Sequence, residues 1–521
     1  MPAFLGLDIG TTSTAGILID AAGKTLATAE RPSELHSRHA NWAEEDPTLW
    51  WSNCRALTRA LMQEARVDAK DIAAVGVTGM VPAMVLLGGD GKLLRPSIQQ
   101  NDARATVEID EMRARFDSQR FFKLTGGSIN QQVVAPKFRW LERHEPDVFK
   151  NIATVFGSYD YIAWRLTGQR SIEHNWALES GLMDFATGKF DDVLVREAGI
   201  PASALPPIRP SHAILGPITP EAAQETGLTA GTPVVAGCAD HVASAYVAGA
   251  ARDGDLVLKF GGAGDILLST AKAVTDPRLF IDYHILPDHY FSNGCTAATG
   301  SLLNWIVREL AGGEIERAKE FGLPIHAWLD RLAADVPAGS EGVVLLPYFL
   351  GEKTPLHDPH ARGTIVGLGL HHKLGHIWRA ALEGVIFGFR HHVEVFREMG
   401  LTVKRVFACD GGAASSLWLQ IAADALSVPV TRIDKHPGSS LGAAYVAGYG
   451  VGAFKDLAGV SRYVAAGRVF RPDPVRTAVY DRAYANYREI YERLKTLYPK
   501  LDPSVVPSVT PGNLVKRGDA A

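Results

Sequence analysis

An aspartate followed closely by a glycine and three hydroxyl residues gives the start of this sequence side chains suited to phosphate chemistry. Gly10 lets a ligand approach the backbone, and the hydroxyls of Thr11, Thr12 and Ser13 can join turn amides around phosphate oxygens. Asp8 stands just before this turn. Because a bare carboxylate repels phosphate, Asp8 is expected to face a metal ion instead. The five residues predict a site for phosphate and a metal ion.

This turn needs two strands to hold it. Residues 4–9 are an apolar run of strand formers, and residues 15–19 resume the apolar pattern before a second turn at residues 21–24. The pattern predicts a strand, a tight turn and a returning strand. An ordinary β-hairpin with a polar turn fits the same residues, because short glycine and hydroxyl motifs are common. The opening alone therefore does not decide the function.

The second half of the sequence repeats this plan. Residues 233–240 are a strand-like run that ends in Asp240, and a strand, turn and strand pattern surrounds Gly261 and Gly262. A third glycine turn, at residues 411–413, follows an apolar strand and precedes a helical run. Three such turns in two halves of similar plan predict two related domains that hold a nucleotide in the cleft between them.

Other nucleotide-binding patterns fit less well. The sequence has no complete G-x-x-x-x-G-K-[S/T] phosphate-binding loop. The spaced glycines Gly448, Gly450 and Gly452 follow a helical run rather than a strand, so helix packing explains them better than dinucleotide binding. There is also no H-E-x-x-H zinc helix.

Length and composition describe a globular α/β protein. The 521 residues are enough for two domains, or three, and they include 46% hydrophobic residues, 21% charged residues and 51 glycines. The formal net charge of −4 gives no electrostatic reason to expect binding to nucleic acid or to an anionic membrane. Any anion must therefore be held by a local site.

Cysteine usage and hydropathy predict a cytoplasmic protein. Four cysteines without paired spacing suit a reducing compartment and argue against a disulfide framework or a zinc site. Pro2 follows Met1 and Asp8 interrupts the first apolar run, so no signal peptide is expected. No stretch approaches the ~18 uninterrupted apolar residues that a membrane span requires.

Two spaced motifs at residues 363–368 and 376–383, with shorter stretches elsewhere, carry a family resemblance. The chain resembles the FGGY carbohydrate kinases, the sugar-kinase branch of the actin-like ATPase superfamily, and is most similar to the xylulokinases. The resemblance covers nearly the whole chain. Its most specific part is residues 363–368 with residues 376–383, which are similar to the family's C-terminal signature. The other matching stretches are residues 8–13, 42–51, 236–240 and 347–355.

The resemblance implies an α/β fold of two ribonuclease-H-like domains with a ligand cleft between them. The implied domains are residues 1–247, which would bind the sugar, residues 248–460, which would bind ATP, and a helical C-terminal segment at residues 461–521. Closure of the two domains would exclude water that otherwise intercepts the phosphoryl group. The oligomeric state is left open, with a homodimer among the expected assemblies.

The resemblance also implies roles for single residues. Asp240 would be the general base that takes the proton of a sugar hydroxyl, with a helix N-cap as the alternative role. Mg²⁺, held by Asp8 and Asp240, and backbone donors would offset the phosphoryl charge. ATP contacts are implied for Gly10, Thr11, Thr12, Ser13, Gly261, Gly262, Gly411, Gly412 and Ala413, the last three beside the adenosine. Sugar contacts, or support for them, are implied for Met80, Asn101, Asp102, Arg104 and Asp240.

Two positions depart from the xylulokinase pattern. Xylulokinases usually carry Thr and Ser in the second phosphate turn, where this chain has Gly262 and Ala263, so Asp265 is expected to compensate through metal or water. They typically have Gln-Met-His-Gly after the strand that ends at Gly79, where this chain has the apolar residues 80–83. Loss of a side chain that hydrogen-bonds to a substrate hydroxyl changes the discrimination between substrates by orders of magnitude.

These departures leave alternatives to xylulose phosphorylation. Within enzymes, a kinase of another ketose or polyol, such as ribulose, glycerol or an erythritol-like compound, fits the same motifs. A non-catalytic ATP-binding protein of the actin or chaperone type is the alternative from another class, because the second phosphate turn is altered. A kinase should bind nucleotide and sugar cooperatively, whereas such a protein should bind nucleotide regardless of sugar.

Overall fold

Two seven-stranded sheets organise the chain in a computed structural model that describes residues 2–39 and 41–501. Each sheet has its own hydrophobic core. The elements of the first half are β1 (Ala3–Ile9), β2 (Ser13–Asp20), β3 (Thr25–Pro32), β4 (Glu44–Glu45), α1 (Pro47–Ala65), β5 (Ile72–Gly79), β6 (Val85–Leu87), β7 (Ser97–Ile98), α2 (Thr106–Arg115), α3 (Ser118–Thr125), α4 (Val134–His144), α5 (Pro146–Lys150), β8 (Thr154–Phe156), α6 (Ser158–Thr167), β9 (Ile172–Glu173), α7 (His174–Glu179), β10 (Met183–Asp184), β11 (Lys189–Phe190), α8 (Asp192–Ala198), β12 (Ile208–Arg209), β13 (Ile214–Pro217), α9 (Pro220–Thr226), β14 (Pro233–Val235), β15 (Cys238–Ala239) and α10 (Asp240–Val247).

The second half has a similar mixture of strands and helices. Its elements are β16 (Asp255–Phe260), β17 (Gly264–Thr270), β18 (Phe280–Tyr283), β19 (Tyr290–Thr296), α11 (Gly300–Leu310), α12 (Gly312–Glu320), α13 (Ile325–Ala334), β20 (Val344–Leu346), β21 (Thr364–Val366), α14 (Leu374–Glu398), β22 (Arg405–Cys409), α15 (Ser416–Leu426), β23 (Val430–Asp434), α16 (Ser439–Gly450), β24 (Ala465–Phe470) and α17 (Pro474–Leu494). Among the described residues, no helix is both long enough and apolar enough to cross a membrane.

The register of the first sheet brings Asp8 and Asp240 to one edge. Strand β1 forms a hairpin with β2 and runs parallel to β5, which also pairs in parallel with β15. Asp8 is opposite Thr78, and Thr78 is opposite Cys238, two residues before Asp240. The carboxyl ends of parallel strands meet at the same edge of a sheet, where open α/β sheets bind ligands. Both aspartates therefore lie at the ligand-binding edge.

The second sheet repeats the plan of the first, as the sequence predicts. Strand β16 forms a hairpin with β17 through the turn at residues 261–263 and runs parallel to β22. Lys259 on β16 is opposite Cys409 on β22, so the turns that follow the two strands are neighbours. The order of the strands is β18-β19-β17-β16-β22-β23-β24.

Helix α16 follows strand β23 of the second sheet but packs on the first sheet. It crosses β1 and β5 at two glycines, Gly6 and Gly76. A Cβ atom at Gly6 would lie 2.0 Å from the carbonyl oxygen of Ser440, and one at Gly76 would lie 2.2 Å from that of Ala443. The backbones are therefore in direct contact, and α16 lies in the first core although residues 248–460 form the second predicted domain.

The C-terminal helix α17, within the predicted segment 461–521, belongs to the second core. It packs against α15 and α14 and buries a row of tyrosines at helical spacing, namely Tyr480, Tyr484, Tyr487 and Tyr491. The hydroxyl of Tyr480 donates to Glu383 of α14 and accepts a hydrogen bond from Arg379. Residues 502–521 of the predicted segment lie outside the described residues.

The contact of α16 with the first sheet predicts that Gly76→Ala destabilises the protein. The new methyl group meets the backbone carbonyl of Ala443, so the helix must move away from the sheet. We expect the free energy of unfolding in urea to fall by about 1–3 kcal/mol, as in other overpacked cores. The control is Gly89→Ala, where a Cβ meets nothing within 4 Å. Equal stability of both variants would contradict the tight contact.

Candidate active site

A cavity of about 340 Å³ lies between the two sheets and is lined by residues of both halves. Its volume is that of a small-ligand site. The first half contributes Asn101, Asp240 and His241, and the second contributes Lys259, Asp265 and Asp282. The site is therefore complete only when both halves are together.

Asp8 is a half-buried residue whose carboxylate has one buried oxygen without a hydrogen-bond partner among the described residues. The hydroxyl of Ser439, the first residue of α16, donates a hydrogen bond to Asp8 Oδ2. Asp8 Oδ1 is buried and has no hydrogen-bond partner within residues 2–39 and 41–501. Burial, and next the negative charge of Asp240, raise the pKa of Asp8 to about 7. A buried acceptor without a partner, close to a second acid, is a position that a cation would stabilise.

Asp240 is the first residue of α10, and Ala239 is the N-cap. The N-cap role is therefore not realised, and the Asp240 side chain, 35% exposed, faces the cavity. Burial raises the pKa of Asp240, but the hydrogen bond and positive charge of His241, together with the charge of Lys259, outweigh burial and leave the pKa below its usual value. Asp240 is accordingly ionised at neutral pH and able to accept a proton.

His241 links the two halves of the site. Its backbone N–H donates to Asp240 Oδ1, and its ring Nε2 lies 3.0 Å from Asp282 Oδ2 on strand β18. Burial lowers the pKa of His241, but Asp282 and Asp240 raise it well above its usual value, so the ring is an imidazolium. Glu179 lies 3.8 Å from the same ring nitrogen. Burial and Asp282 raise the pKa of Glu179 well above its usual value.

The first predicted phosphate turn is a tight loop between β1 and β2. The Gly10 N–H donates to the carbonyl of Ser13, and the Thr11 hydroxyl contacts the sulfur of Met80 at 3.7 Å. In the part of the chain that the structure describes, the N–H groups of Thr11 and Thr12 donate no hydrogen bond. The loop therefore has free backbone donors, as a phosphate turn requires.

The second predicted phosphate turn is held from behind by α11. The carbonyl of Gly261 accepts from the N–H of Gly300, and that of Gly262 accepts from the N–H groups of Thr299 and Ser301. Among the described residues, the N–H groups of residues 261–263 donate no hydrogen bond. The third turn, containing Gly411, Gly412 and Ala413, is a short 3-10 turn that leads into α15.

The residues predicted to contact the sugar lie at different depths. Asn101 and Asp240 line the cavity. The side chain of Met80 is buried next to Thr11. Asp102 and Arg104 are buried and paired with each other at 2.8 Å, and Asp102 Oδ2 accepts from the Ala43 N–H. Asp102 and Arg104 thus hold the loop that carries Asn101, while direct contact with the sugar stays a prediction for each.

Several cavity residues have no counterpart in the sequence-based prediction. They are Lys259, Asp282, Asn293 and Glu179, which line the cavity, and Ser439, which contacts Asp8. Lys259 interrupts the apolar strand just before the second glycine turn, and this charge was a signal in the sequence. The other four are ordinary polar residues of their elements, and only the fold brings them to the site.

Comparison with protein families decides the class of the chain. Residues 3–247 match the N-terminal domain of the FGGY family of carbohydrate kinases, and residues 266–451 match its C-terminal domain. The chain belongs to the FGGY family of carbohydrate kinases. The predictions of the family, of the two-domain actin-like fold and of a sugar kinase are thereby confirmed, and membership implies ATP as the phosphoryl donor.

Relatives within the FGGY family differ in their substrates. The crystal structure of xylulose kinase from Rhodospirillum rubrum is 49% identical, covers 95% of this chain and 100% of that chain, and superposes with a TM-score of 0.90. Xylulose kinase from Bacillus subtilis is 29% identical over 95% of this chain and 98% of its own length. Gluconokinase from Bacillus subtilis is 28% identical over 95% of this chain and 95% of its own length. Sequence similarity alone does not separate these substrates.

Glu352 is a buried acid beside the cavity, next to the lining residue Lys353. Its Oε1 accepts hydrogen bonds from the N–H groups of Ala297 and Lys353. Burial raises the pKa of Glu352 to about 7, although both N–H donors oppose the rise. Its folded-state pKa thus exceeds its unfolded value, so its contribution to stability is complete at acidic pH and is lost as pH rises through 7.

This linkage predicts that Glu352→Gln stabilises the protein at alkaline pH. Glutamine keeps the accepting oxygen and removes the buried charge. We expect equal unfolding free energies near pH 4, and at pH 8 an advantage of up to about 3 kcal/mol for the variant. Urea denaturation at both pH values measures the difference, with the exposed Glu320→Gln as control. A pH-independent difference would contradict the assignment.

Proposed function

We propose that this sugar kinase transfers the γ-phosphoryl group of ATP to a hydroxyl of a pentulose, most specifically D-xylulose. The observation that supports the reaction is the placement of Asp240 in the cavity, with Asp8 near it at the same edge of the first sheet. The xylulose kinase from Rhodospirillum rubrum, 49% identical, supports the substrate.

In the proposed reaction, the ionised Asp240 accepts the proton of the attacking sugar hydroxyl. The hydroxyl oxygen forms a bond to the γ-phosphorus, and the bond from that phosphorus to the bridging oxygen of ADP breaks. ADP leaves with the bonding electron pair, so atoms and charge balance. The free N–H groups of the glycine turns stabilise the phosphate oxygens.

The residues present fit a magnesium ion, which such a reaction needs. Asp8 offers a buried oxygen without a partner, and Asp240 offers a second carboxylate close enough to raise the pKa of Asp8. Oxygen ligands of this kind are those that Mg²⁺ prefers. When bound, Mg²⁺ would neutralise phosphate charge, and it would also relieve the repulsion between the two acids.

The polarity of the cavity suits a neutral sugar. Amide side chains line it and can both donate and accept, as sugar hydroxyls do. They are Gln100, Asn101, Asn130, Gln131, Gln132 and Asn293. Val81 lines the wall and belongs to the stretch 80–83, where xylulokinases typically have Gln-Met-His-Gly, so the fit to xylulose rests on the amides. Kinases of another ketose or polyol remain the alternative function for the same cavity.

We also propose a cytoplasmic location for the enzyme. All four cysteines are unpaired thiols, three of them buried, namely Cys54, Cys238 and Cys409. Unpaired cysteines suit the reducing cytoplasm, where ATP and sugar phosphates are metabolised.

The reaction predicts ADP release that depends on a sugar. We expect the purified protein to release ADP with D-xylulose, measured by coupled assay across ketoses, polyols and gluconate. If only another compound supports turnover, that compound replaces D-xylulose as the substrate. If no compound supports ADP release, the non-catalytic ATP-binding protein is favoured.

The role of Asp240 predicts a severe loss of turnover in Asp240→Asn. Without a proton acceptor, kcat should fall by about 10²–10⁴-fold while calorimetry shows retained sugar affinity. Asp68→Asn, at an exposed aspartate of the same half, is the matched control. A kcat within twofold of wild type would remove Asp240 from the reaction.

The role of Asp8 predicts that Asp8→Asn needs a higher Mg²⁺ concentration for ATP binding and turnover. Asparagine retains an oxygen for Ser439 but lacks the charge that holds the cation. We expect the Mg²⁺ concentration for half-maximal activity, and for half-maximal ATP binding by calorimetry, to rise about tenfold or more. Ser439→Ala, which keeps the carboxylate, should change these values less. Unaltered magnesium titrations would contradict the site.

A further inference from the structure

A lysine stands in the cavity on the strand that leads to the second phosphate turn. Along β16, Leu256, Leu258 and Phe260 point into the second core, so Val257 and Lys259 point to the opposite face. Val257 packs with the core of the first half, and Lys259 lines the cavity on the same face. Strand alternation therefore aims Lys259 at the space between the two domains.

Lys259 is a half-buried lysine among acids. Its Nζ lies 3.5 Å from Asp265 Oδ2, directly opposite on β17, and its side chain is 17% exposed. Burial lowers the pKa of Lys259, but Asp265, Asp410 and Asp240 outweigh burial and hold it above its usual value. The same charge opposes the rise in the pKa of Asp8 and contributes to the lowered pKa of Asp240. Lys259 thus sits within electrostatic reach of both acids.

The second phosphate turn has no side-chain donor of its own. Gly262 and Ala263 occupy the positions at which xylulokinases usually carry Thr and Ser, and a Cβ at Gly262 would meet nothing within 4 Å. The turn is therefore open where hydroxyls would be, and its backbone donors act alone. Lys259, two residues before Gly261 on the cavity face, is the nearest cation in sequence to this turn.

We propose that the Lys259 ammonium group contacts the γ-phosphoryl group of ATP and stabilises its negative charge during transfer, in place of the missing turn hydroxyls. This inference rests on the proposed kinase function. Lys259 keeps its proton throughout: the sugar oxygen bonds to phosphorus, the bridging oxygen leaves with ADP, and the hydroxyl proton passes to Asp240. Asp265 holds Lys259 in place between turnovers. A fixed cation aimed at developing charge is an effective form of transition-state stabilisation.

Lys259→Met tests the contact because methionine retains the apolar stem and removes the charge. We expect kcat to fall by about 100-fold or more, with sugar affinity unchanged. Affinity for a non-hydrolysable ATP analogue should fall about tenfold, and affinity for ADP should change by less than twofold, since only the analogue has a γ-phosphate. Lys404→Met, at an exposed lysine paired with Asp253 outside the cavity, is the matched control.

A purely structural role for Lys259 makes a different prediction. If the lysine only neutralises Asp265, then Lys259→Met combined with Asp265→Asn should restore turnover, because both charges are gone. If the lysine contacts the phosphoryl group, the double variant should stay as slow as Lys259→Met. Recovery of turnover to within a few-fold of wild type in the double variant would overturn the proposal.

Restoring the hydroxyls gives a positive test. Gly262→Thr with Ala263→Ser places two donors in the open turn, and in the Lys259→Met background we expect them to recover about tenfold of the lost kcat. The contact would be refuted if the two hydroxyls recover no kcat and if Lys259→Met also leaves the affinity for the ATP analogue unchanged. Failure of the proposed kinase function gives a different result, because the wild type would then release no ADP with any sugar. The affinities for the ATP analogue and for ADP can still be compared in that case.

Discussion

The structure depends on the backbone contact between helix α16 and the first sheet. Because Gly6 and Gly76 carry no Cβ, the helix lies directly on β1 and β5, and its first residue, Ser439, reaches Asp8. The position of the Asp8 carboxylate is thus set by a segment 431 residues away in the chain. The same contact joins the two halves that enclose the cavity, so fold and site share one constraint.

Electrostatics in the cavity follow from this enclosure. Asp240, Asp265 and Asp282 line the cavity together with three cations, Lys259, Lys353 and the His241 imidazolium, while Asp8 lies near Asp240 at the edge of the first sheet. Burial makes each charge interact more strongly than it would in water. The arrangement leaves Asp240 ionised and Asp8 short of a counter-charge.

The local elements and the family can be predicted from the sequence, but the contacts between distant segments cannot. The strand, turn and strand around residue 10 became β1 and β2, and the repeated plan became the second sheet, because strand alternation and turn residues are local signals. The apolar helical run before Gly448 indicated a buried helix, yet nothing in it specified the sheet against which the helix would pack. The contact of His241 with Asp282 joins residues 41 positions apart on α10 and β18, and no local pattern encodes it. Lys259 was visible as a charge in an apolar strand, but its direction required the register.

The late position of α16 in the chain has a consequence for synthesis on the ribosome. Strands β1 and β5 emerge early, while the helix that covers them emerges only after residue 450 has been made. The face of these strands that α16 covers stays without the helix while more than half of the protein is translated. Contacts between segments so far apart in the sequence form slowly. Nascent chains of this enzyme should therefore need protection by a chaperone until the second sheet is complete.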